Sequence, residues 1–383
     1  CHDWTIIGLA PNWWKWRMRH APITLAAEVR RELAAGQRWD VIVCSDMLNL
    51  AEFRGLAPSP VSSLPSVVYF HENQWTYPTQ NEDPRDHHYG FNNFVTAIAA
   101  DEVWFNSQFH RQEFLSATRE FLKKMPDNSS LDAVDEIAVK GTVQYPGIAP
   151  SNRALAMNTE SPPHLTWAAR WEFDKNPDTF FKALSILKAK GCKFRLSVLG
   201  ESFRNRPPIF AAAKSEFAEN ILQWGFLDSK ADYIAALQTT DIFVSTAKHE
   251  FFGIAAVEAI ACGAYPLLPN RLAYPEVLQV EQFPERGQHL YDGDAEELAI
   301  RLQSLIECWP TSGGLREERV KISEAMTRFR WPARSAEMDA RLSAIGQNSD
   351  RNSDRNSDRN SDRNSDRNSD RNSDRNSDRN AAR

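Results

Sequence analysis

Cysteine is scarce in this 383-residue sequence. There are five, Cys1, Cys44, Cys192, Cys262 and Cys308, all far apart and none in a Cys-x-x-Cys pair. That excludes a disulfide framework and points to free buried thiols in a reducing compartment. In that setting the sequon Asn128-Ser129-Ser130 reads as a polar loop. No apolar run is long enough to span a bilayer and no signal peptide is evident, so the expectation is a cytoplasmic protein with no membrane partner. Neither Gly-x-Gly-x-x-Gly nor Gly-x-x-x-x-Gly-Lys-Ser/Thr occurs, which argues against dinucleotide and P-loop chemistry. A basic excess is missing too: the net charge is −6. The whole-molecule field therefore does not attract nucleic acid, and any such partner must be met by a local patch.

What is present suits a globular chain, with 42% hydrophobic and 25% charged residues. From Asn348 the sequence repeats Asn-Ser-Asp-Arg almost to its end. These residues favour turns and offer nothing apolar to bury, so 347–383 is expected to be a disordered tail. The remainder divides in two. In residues 1–150, "TIIGLA" (Thr5–Ala10), "DVIVCSD" (Asp40–Asp46), "SVVYFHEN" (Ser66–Asn73) and "DEVWFNS" (Asp101–Ser107) read as short strands. They alternate with helical patterns such as Ala21–Leu33 and Tyr89–Ala100. A polar linker, 151–163, leads to a second alternation over 164–346. It is built from His164–Arg170, Pro177–Gly191, Lys193–Glu201, Ala231–Asp241, Ile242–Ala247, "GIAAVEAIACG" and "AYPLLP". The pattern predicts an α/β protein of two doubly wound, Rossmann-like domains with parallel sheets, facing each other across a cleft. Ligands of such sheets sit at the carboxyl ends of the strands. His71, Arg170, Gly200, Glu201 and the stretch from Ser245 all fall there.

The stretch "STAKHEFFGIAAVEAIACG" carries the strongest chemical signal. Glu250 and Glu258 are eight positions apart, with two exposed-looking phenylalanines, Phe251 and Phe252, after the first. On a helix that spacing means about 12 Å along the axis and roughly 80° of rotation, enough to reach both ends of one nucleotide-sugar. The amides of Phe251, Phe252 and Gly253 precede a helix, where unpaired donors and the dipole favour phosphate. The plain alternative is that Glu250 complements the dipole and Glu258 is a solvated surface residue. Arg170 and Lys175 follow the first strand of the second domain and could clamp a diphosphate, Arg bidentately. Equally, they could pair with Glu172 or Asp174. In "NWWKWRMRH" (Asn12–His20), aromatics interleave with cations. That suits phosphate contact and base stacking, or else a partly buried surface helix with snorkelling cations.

Taken together, "VVYFHENQWTYP", "RWEFDKNPDTFFKAL", "FRLSVLGESF" and "STAKHEFFGIAAVEAIACGAYPLLP" resemble the tRNA-queuosine α-mannosyltransferases. These are retaining glycosyltransferases of the GT-B fold that use Glu-x7-Glu, and the likeness runs from Cys1 to about Ile345. The resemblance implies transfer of mannose from GDP-mannose to queuosine in a tRNA anticodon loop, with retention at the anomeric carbon and no metal or other cofactor. It implies that Glu250 holds the sugar hydroxyls, Glu258 the ribose, Arg170 and Lys175 the diphosphate, and that His71 faces the reacting sugar. Phe251, Phe252 and Gly253 would line the donor. It makes Lys15, Trp16, Arg17 and Arg19 candidates for tRNA contact. Family members begin with a further strand, glycine-rich loop and helix, so the chain is expected to be a fragment.

Other readings stay open at this point. The same fold could serve a lipid or polysaccharide acceptor, and a non-catalytic nucleotide-sugar binder is a weaker third possibility. "DGD" (Asp292–Asp294) imitates an Asp-x-Asp metal motif but reads better as a helix cap.

Overall fold

A computed structural model describes residues 2–78, 86–149, 161–202, 207–309 and 313–347. The Asn-Ser-Asp-Arg tail and most of the linker lie outside these residues. The first domain holds a parallel sheet of four strands in sequential order: Ile42–Ser45 (β1), Ser66–Phe70 (β2), Glu102–Phe105 (β3) and Gly141–Val143 (β4). The second holds a parallel sheet of six: His164–Ala168 (β5), Arg195–Leu199 (β6), Ile221–Gly225 (β7), Ile242–Val244 (β8), Tyr265–Pro269 (β9) and Leu290–Tyr291 (β10). Its order, β10-β9-β8-β5-β6-β7, reverses direction between β8 and β5. That reversal opens a crevice at the strands' carboxyl ends, the standard place for a ligand in such sheets.

Local sequence explains the elements. Strands β5 and β9 are buried at every position, as expected where helices cover both faces. Several helices start on side-chain caps. Ser107 accepts from His110 N, Ser229 from Asp232 N, and Asp294 from Glu297 N at 2.7 Å. Asp294 therefore acts as the helix cap that the sequence suggests. Pro177 occupies the first turn of Pro177–Ala189, where its missing N–H costs nothing. One apolar cluster fills the first domain around Phe70, Phe105 and Phe114, and two lie on the faces of the second sheet.

Three expectations change. Thr5–Ala10 forms no strand: it has no ladder partner among the described residues, and Ile6 is exposed. A β-branched run supplies propensity but not a neighbour to pair with. The first helix runs Trp14–Ala34, so it absorbs the cation–aromatic stretch and carries Pro22 inside it. Finally, residues 331–347 form a helix that returns to the first domain. There Leu342 and Ile345 pack on Val67 and Trp104, and Arg341 pairs with Glu102 at 2.9 Å. The chain thus crosses between domains twice. The crossings lie side by side, with Ile148 N donating to Phe329 O and Trp331 N to Ile148 O. Gly147 is required there, because a Cβ would lie 2.2 Å from the Trp331 ring.

Among the described residues no helix is long and apolar enough to cross a membrane. Cys44, Cys192, Cys262 and Cys308 form no disulfide, and Cys308 is exposed rather than buried.

Candidate active site

The turn after β8 is built around a buried cation. Lys175 Nζ donates to His249 O at 2.7 Å and lies 3.3 Å from Glu250 Oε2 and 3.2 Å from Asp174 Oδ2. Two hydrogen bonds and an ion pair thus surround the ammonium. Burial opposes the charge, but Glu250 and Asp174 outweigh it and hold the Lys175 pKa above its usual value. Glu250 answers in kind. Burial raises its pKa, yet Lys175, His249 and the Gly253 amide together bring it below the ordinary glutamate value. The Glu250 side chain keeps 30% exposure, so one edge of this carboxylate stays open to the cleft.

The helix Ile254–Ala261 starts after Gly253, which sits at φ 87° with its would-be Cβ 2.8 Å from the Tyr274 ring. Only glycine suits that conformation. The Gly253 amide donates to Glu250, so the donors left for an anion are those of Ile254, Ala255 and Ala256 in the first turn. Ala255 and Ala256 border a cavity lined by Ala168, Ala169, Lys175, Ser245 and Glu250, in the crevice between β5 and β8. A matching constraint stands at the end of β6, where a Cβ on Gly200 would meet Ala169 O at 1.8 Å.

The sequence reading of Phe251 and Phe252 as exposed is corrected. Both are buried, because the two domains meet on them. Phe251 stacks on His110 at 4.0 Å, and Phe252 packs between Tyr145 and Phe329. The view of Glu258 as a solvated surface residue is corrected as well: it is 6% exposed and paired with Lys230 and Tyr233.

Arg170 sits at the mouth of the crevice with its side chain 45% exposed. It donates to Tyr77 Oη across the cleft at 2.9 Å and lies 3.3 Å from Glu172. The local ion pairs that compete with a ligand role, Arg170–Glu172 and Lys175–Asp174, therefore both exist.

His71 follows β2 directly and is the exposed member of the first-domain wall. Its N–H donates to Asp46 Oδ1 at 3.0 Å, and its Nδ1 lies 3.5 Å from the same oxygen. Beside it stands Glu72, which no sequence motif singles out. Burial, then the charge of Asp46, pushes the Glu72 carboxyl up to about 7. Arg170, Gln74 and His71 only partly offset this. No local motif marks Glu72, since its environment comes from Asp46 and from the opposite domain. His249 presents the reverse case: burial, then Lys175, lowers its pKa to about 4, so it stays neutral.

The cation–aromatic stretch lies apart from this centre, on the rim of the first domain. Its helix ends before β1 and the helix His87–Ala99 ends before β3, so both place their N-termini at the carboxyl, cleft-facing side of the sheet. Trp14 packs on Tyr89 at 5.2 Å, and Arg19 lies over the same ring at 5.6 Å. Trp16 and Lys15 are exposed, and Arg17 donates to Ala10 O at 2.9 Å.

Residues 1–148 match the family model for the N-terminal region of tRNA-queuosine alpha-mannosyltransferase, and residues 156–328 match that for glycosyl transferases group 1. The chain is 36% identical over 292 residues to the tRNA-queuosine alpha-mannosyltransferase of Drosophila melanogaster, covering 73% of this chain and 75% of that protein. It is 23% identical over 263 residues to a GDP-mannose-dependent alpha-(1-6)-phosphatidylinositol dimannoside mannosyltransferase of Mycobacterium tuberculosis, covering 67% of this chain and 61% of that one. Among solved structures, the sucrose-phosphate synthase of Thermosynechococcus elongatus superposes with a TM-score of 0.63 at 16% identity, over 88% of this chain and 80% of that one. That likeness shows the GT-B fold.

Proposed function

Because the chain belongs to the tRNA-queuosine alpha-mannosyltransferase family, we propose that it transfers mannose from GDP-mannose to queuosine in a tRNA anticodon loop, with retention of configuration. The observation that carries the reading is the cleft at the strand reversal. There a Lys175–Glu250 ion pair lines the cavity with the first-turn amides, and Arg170 at its mouth reaches across to Tyr77 of the first domain.

In this reading the diphosphate lies over the amides of Ile254, Ala255 and Ala256, with Arg170 released from Tyr77 to meet it. Lys175, already held by His249 O, Glu250 and Asp174, contributes mainly its field and fixes Glu250. The open edge of Glu250 takes the hydroxyls of the sugar. Glu258 takes the ribose in exchange for Lys230. His71 and Glu72 stand on the acceptor side. The bond from the anomeric carbon to the phosphate oxygen breaks with its electrons going to GDP. The acceptor oxygen bonds on the same face, and its proton passes to the released phosphate or to solvent. We assign the phosphate charge to these groups, with no metal or cofactor. Lys15, Trp16, Arg17 and Arg19, on the cleft rim, serve the tRNA: the cations meet phosphates and Trp16 meets a base.

One observation favours a second reading. Trp13 and Trp16 are 84% and 67% exposed beside cations, a surface that also suits a lipid interface. Queuosine-bearing tRNA incubated with the protein and GDP-mannose, followed by nucleoside mass spectrometry, separates the two. A hexose gained on queuosine supports the proposal. No gain, together with transfer to a lipid acceptor in vesicles, replaces it.

A further inference from the structure

Two residues immediately after β3 touch both halves of the proposed reaction centre. Asn106 Nδ2 donates to His71 O at 2.8 Å, and its Oδ1 holds His110 Nδ1 at 2.8 Å. Ser107 Oγ donates to Phe251 O, the residue after Glu250, and accepts from His110 N at 2.9 Å. The ring of His110 completes the contact by stacking on Phe251. The edge 106–110 thus holds the main chain beside His71 in the first domain and beside Glu250 in the second.

A carboxylate from the second domain fixes this edge. Glu276 accepts from Gln108 N at 2.7 Å and from Phe109 N at 2.9 Å, and from Tyr145 Oη at 2.8 Å. Gln108 and Phe109 open the helix Gln108–Leu122. An anion there satisfies donors that the helix cannot satisfy itself and complements the dipole. The cap comes from the opposite domain, so it can persist only while the domains keep their present spacing. Both oxygens of Glu276 are engaged, and their partners come from backbone and from a phenol.

We propose that Glu276 is a positioning residue: by capping that helix across the interface, it sets through Asn106 and Ser107 the register between His71 and Glu250 that transfer requires. The inference rests on the reading above, in which these residues flank one reacting sugar. Glu276 contacts neither substrate, so its loss should separate turnover from donor binding. A misplacement of reacting groups by even an ångström is costly to rate, while the donor's own contacts stay in the second domain.

The test is Glu276→Gln, which keeps size but turns an NH₂ toward backbone donors, with Ser107→Ala as a milder companion. In Glu276→Gln, kcat for mannosyl transfer should fall about tenfold or more. The GDP dissociation constant should stay within about twofold of the parent value, because the diphosphate and ribose contacts are untouched. Ser107→Ala should lower kcat less, and the double variant should lose less than the sum of the single effects, since both act on one junction. Unchanged kcat in both variants, or a fall matched by an equal loss of GDP affinity, overturns the proposal. Hydrogen exchange at Gln108 and Phe109 supplies an arm independent of activity. GDP should slow exchange there in the parent but not in Glu276→Gln, and equal behaviour in the two contradicts the junction. If the parent transfers nothing to queuosine, the functional reading fails while this exchange arm still decides the positioning claim.

Discussion

The two walls of the cleft are built to opposite specifications. On the second-domain side the ionised side chains are paired, Lys175 with Glu250 and Asp174 and Glu258 with Lys230 and Tyr233, although Asp174 Oδ2 and His249 Nε2 take no hydrogen bond among the described residues. On the first-domain side, polar atoms stand without hydrogen-bond partners among the described residues and no cation is paired with Glu72 there. They include the Oδ2 of buried Asp46 and the Nε2 of buried His110. Beside them, His71 is 64% exposed, and Glu72 is held partly neutral at ordinary pH by burial and Asp46. A wall whose charges are paired beforehand reorganises little when a small, constant ligand arrives. A wall with unmet hydrogen-bonding capacity waits for a partner that supplies it. On the proposed assignment, the difference means that the donor wall has its charges paired beforehand and that the acceptor completes its own side.

The largest test of this contrast is Glu250→Gln. It removes the carboxylate that balances Lys175 and leaves Asp174 alone with the buried ammonium. Transfer should drop by a factor on the order of 10²–10³, read as kcat/KM, because a preorganised electrostatic contact is lost. A drop of less than about threefold would mean that the paired wall is not where the charge of the transition state develops. Next is Glu258→Ala. GDP binding by calorimetry should weaken by about 1.5–3 kcal/mol, the value of a hydrogen bond to a charged group. Intact affinity in a folded variant would place the ribose elsewhere.

The first-domain wall is tested by pH. Glu72 carries a folded-state pKa raised to about 7, so its neutral form is the one the native state favours. The stability linked to that proton is present at low pH and is lost as pH rises through about 7. If the ionised carboxyl orients the acceptor hydroxyl, the transfer rate should climb through the same interval, and Glu72→Gln should flatten the climb. A pH profile identical in the two proteins would detach Glu72 from the acceptor.

Much of this was legible in the sequence, and the exceptions share one cause. The runs His164–Arg170, Lys193–Glu201 and Ile242–Ala247 contain β5, β6 and β8, because fully buried parallel strands are written as continuous apolar segments. Glu250, Glu258, Arg170 and Lys175 fall near strand ends for the same reason. Hidden were properties that arise between domains. Phe251 and Phe252 look exposed until His110, Tyr145 and Phe329 arrive from distant sequence. Glu276 lies in an ordinary short helix, Tyr274–Leu278, and gains meaning only from the amides of Gln108 and Phe109. The run Thr5–Ala10 misled in the other direction, since strand propensity does not reveal whether a neighbour exists.

The division of labour between the walls is tested most directly by one pair of dissociation constants, for GDP and for queuosine-bearing tRNA, measured on the Arg17→Ala/Arg19→Ala double variant across a range of salt. Arg17 and Arg19 lie on the rim helix of the first domain, where Arg17 donates to Ala10 O and Arg19 lies over the Tyr89 ring. GDP affinity is expected to stay at the parent value. Affinity for tRNA should fall, and its salt dependence should flatten by somewhat less than about one counterion for each phosphate contact removed. Loss of GDP affinity along with tRNA affinity, or tRNA binding that keeps both its strength and its salt slope, would contradict the account.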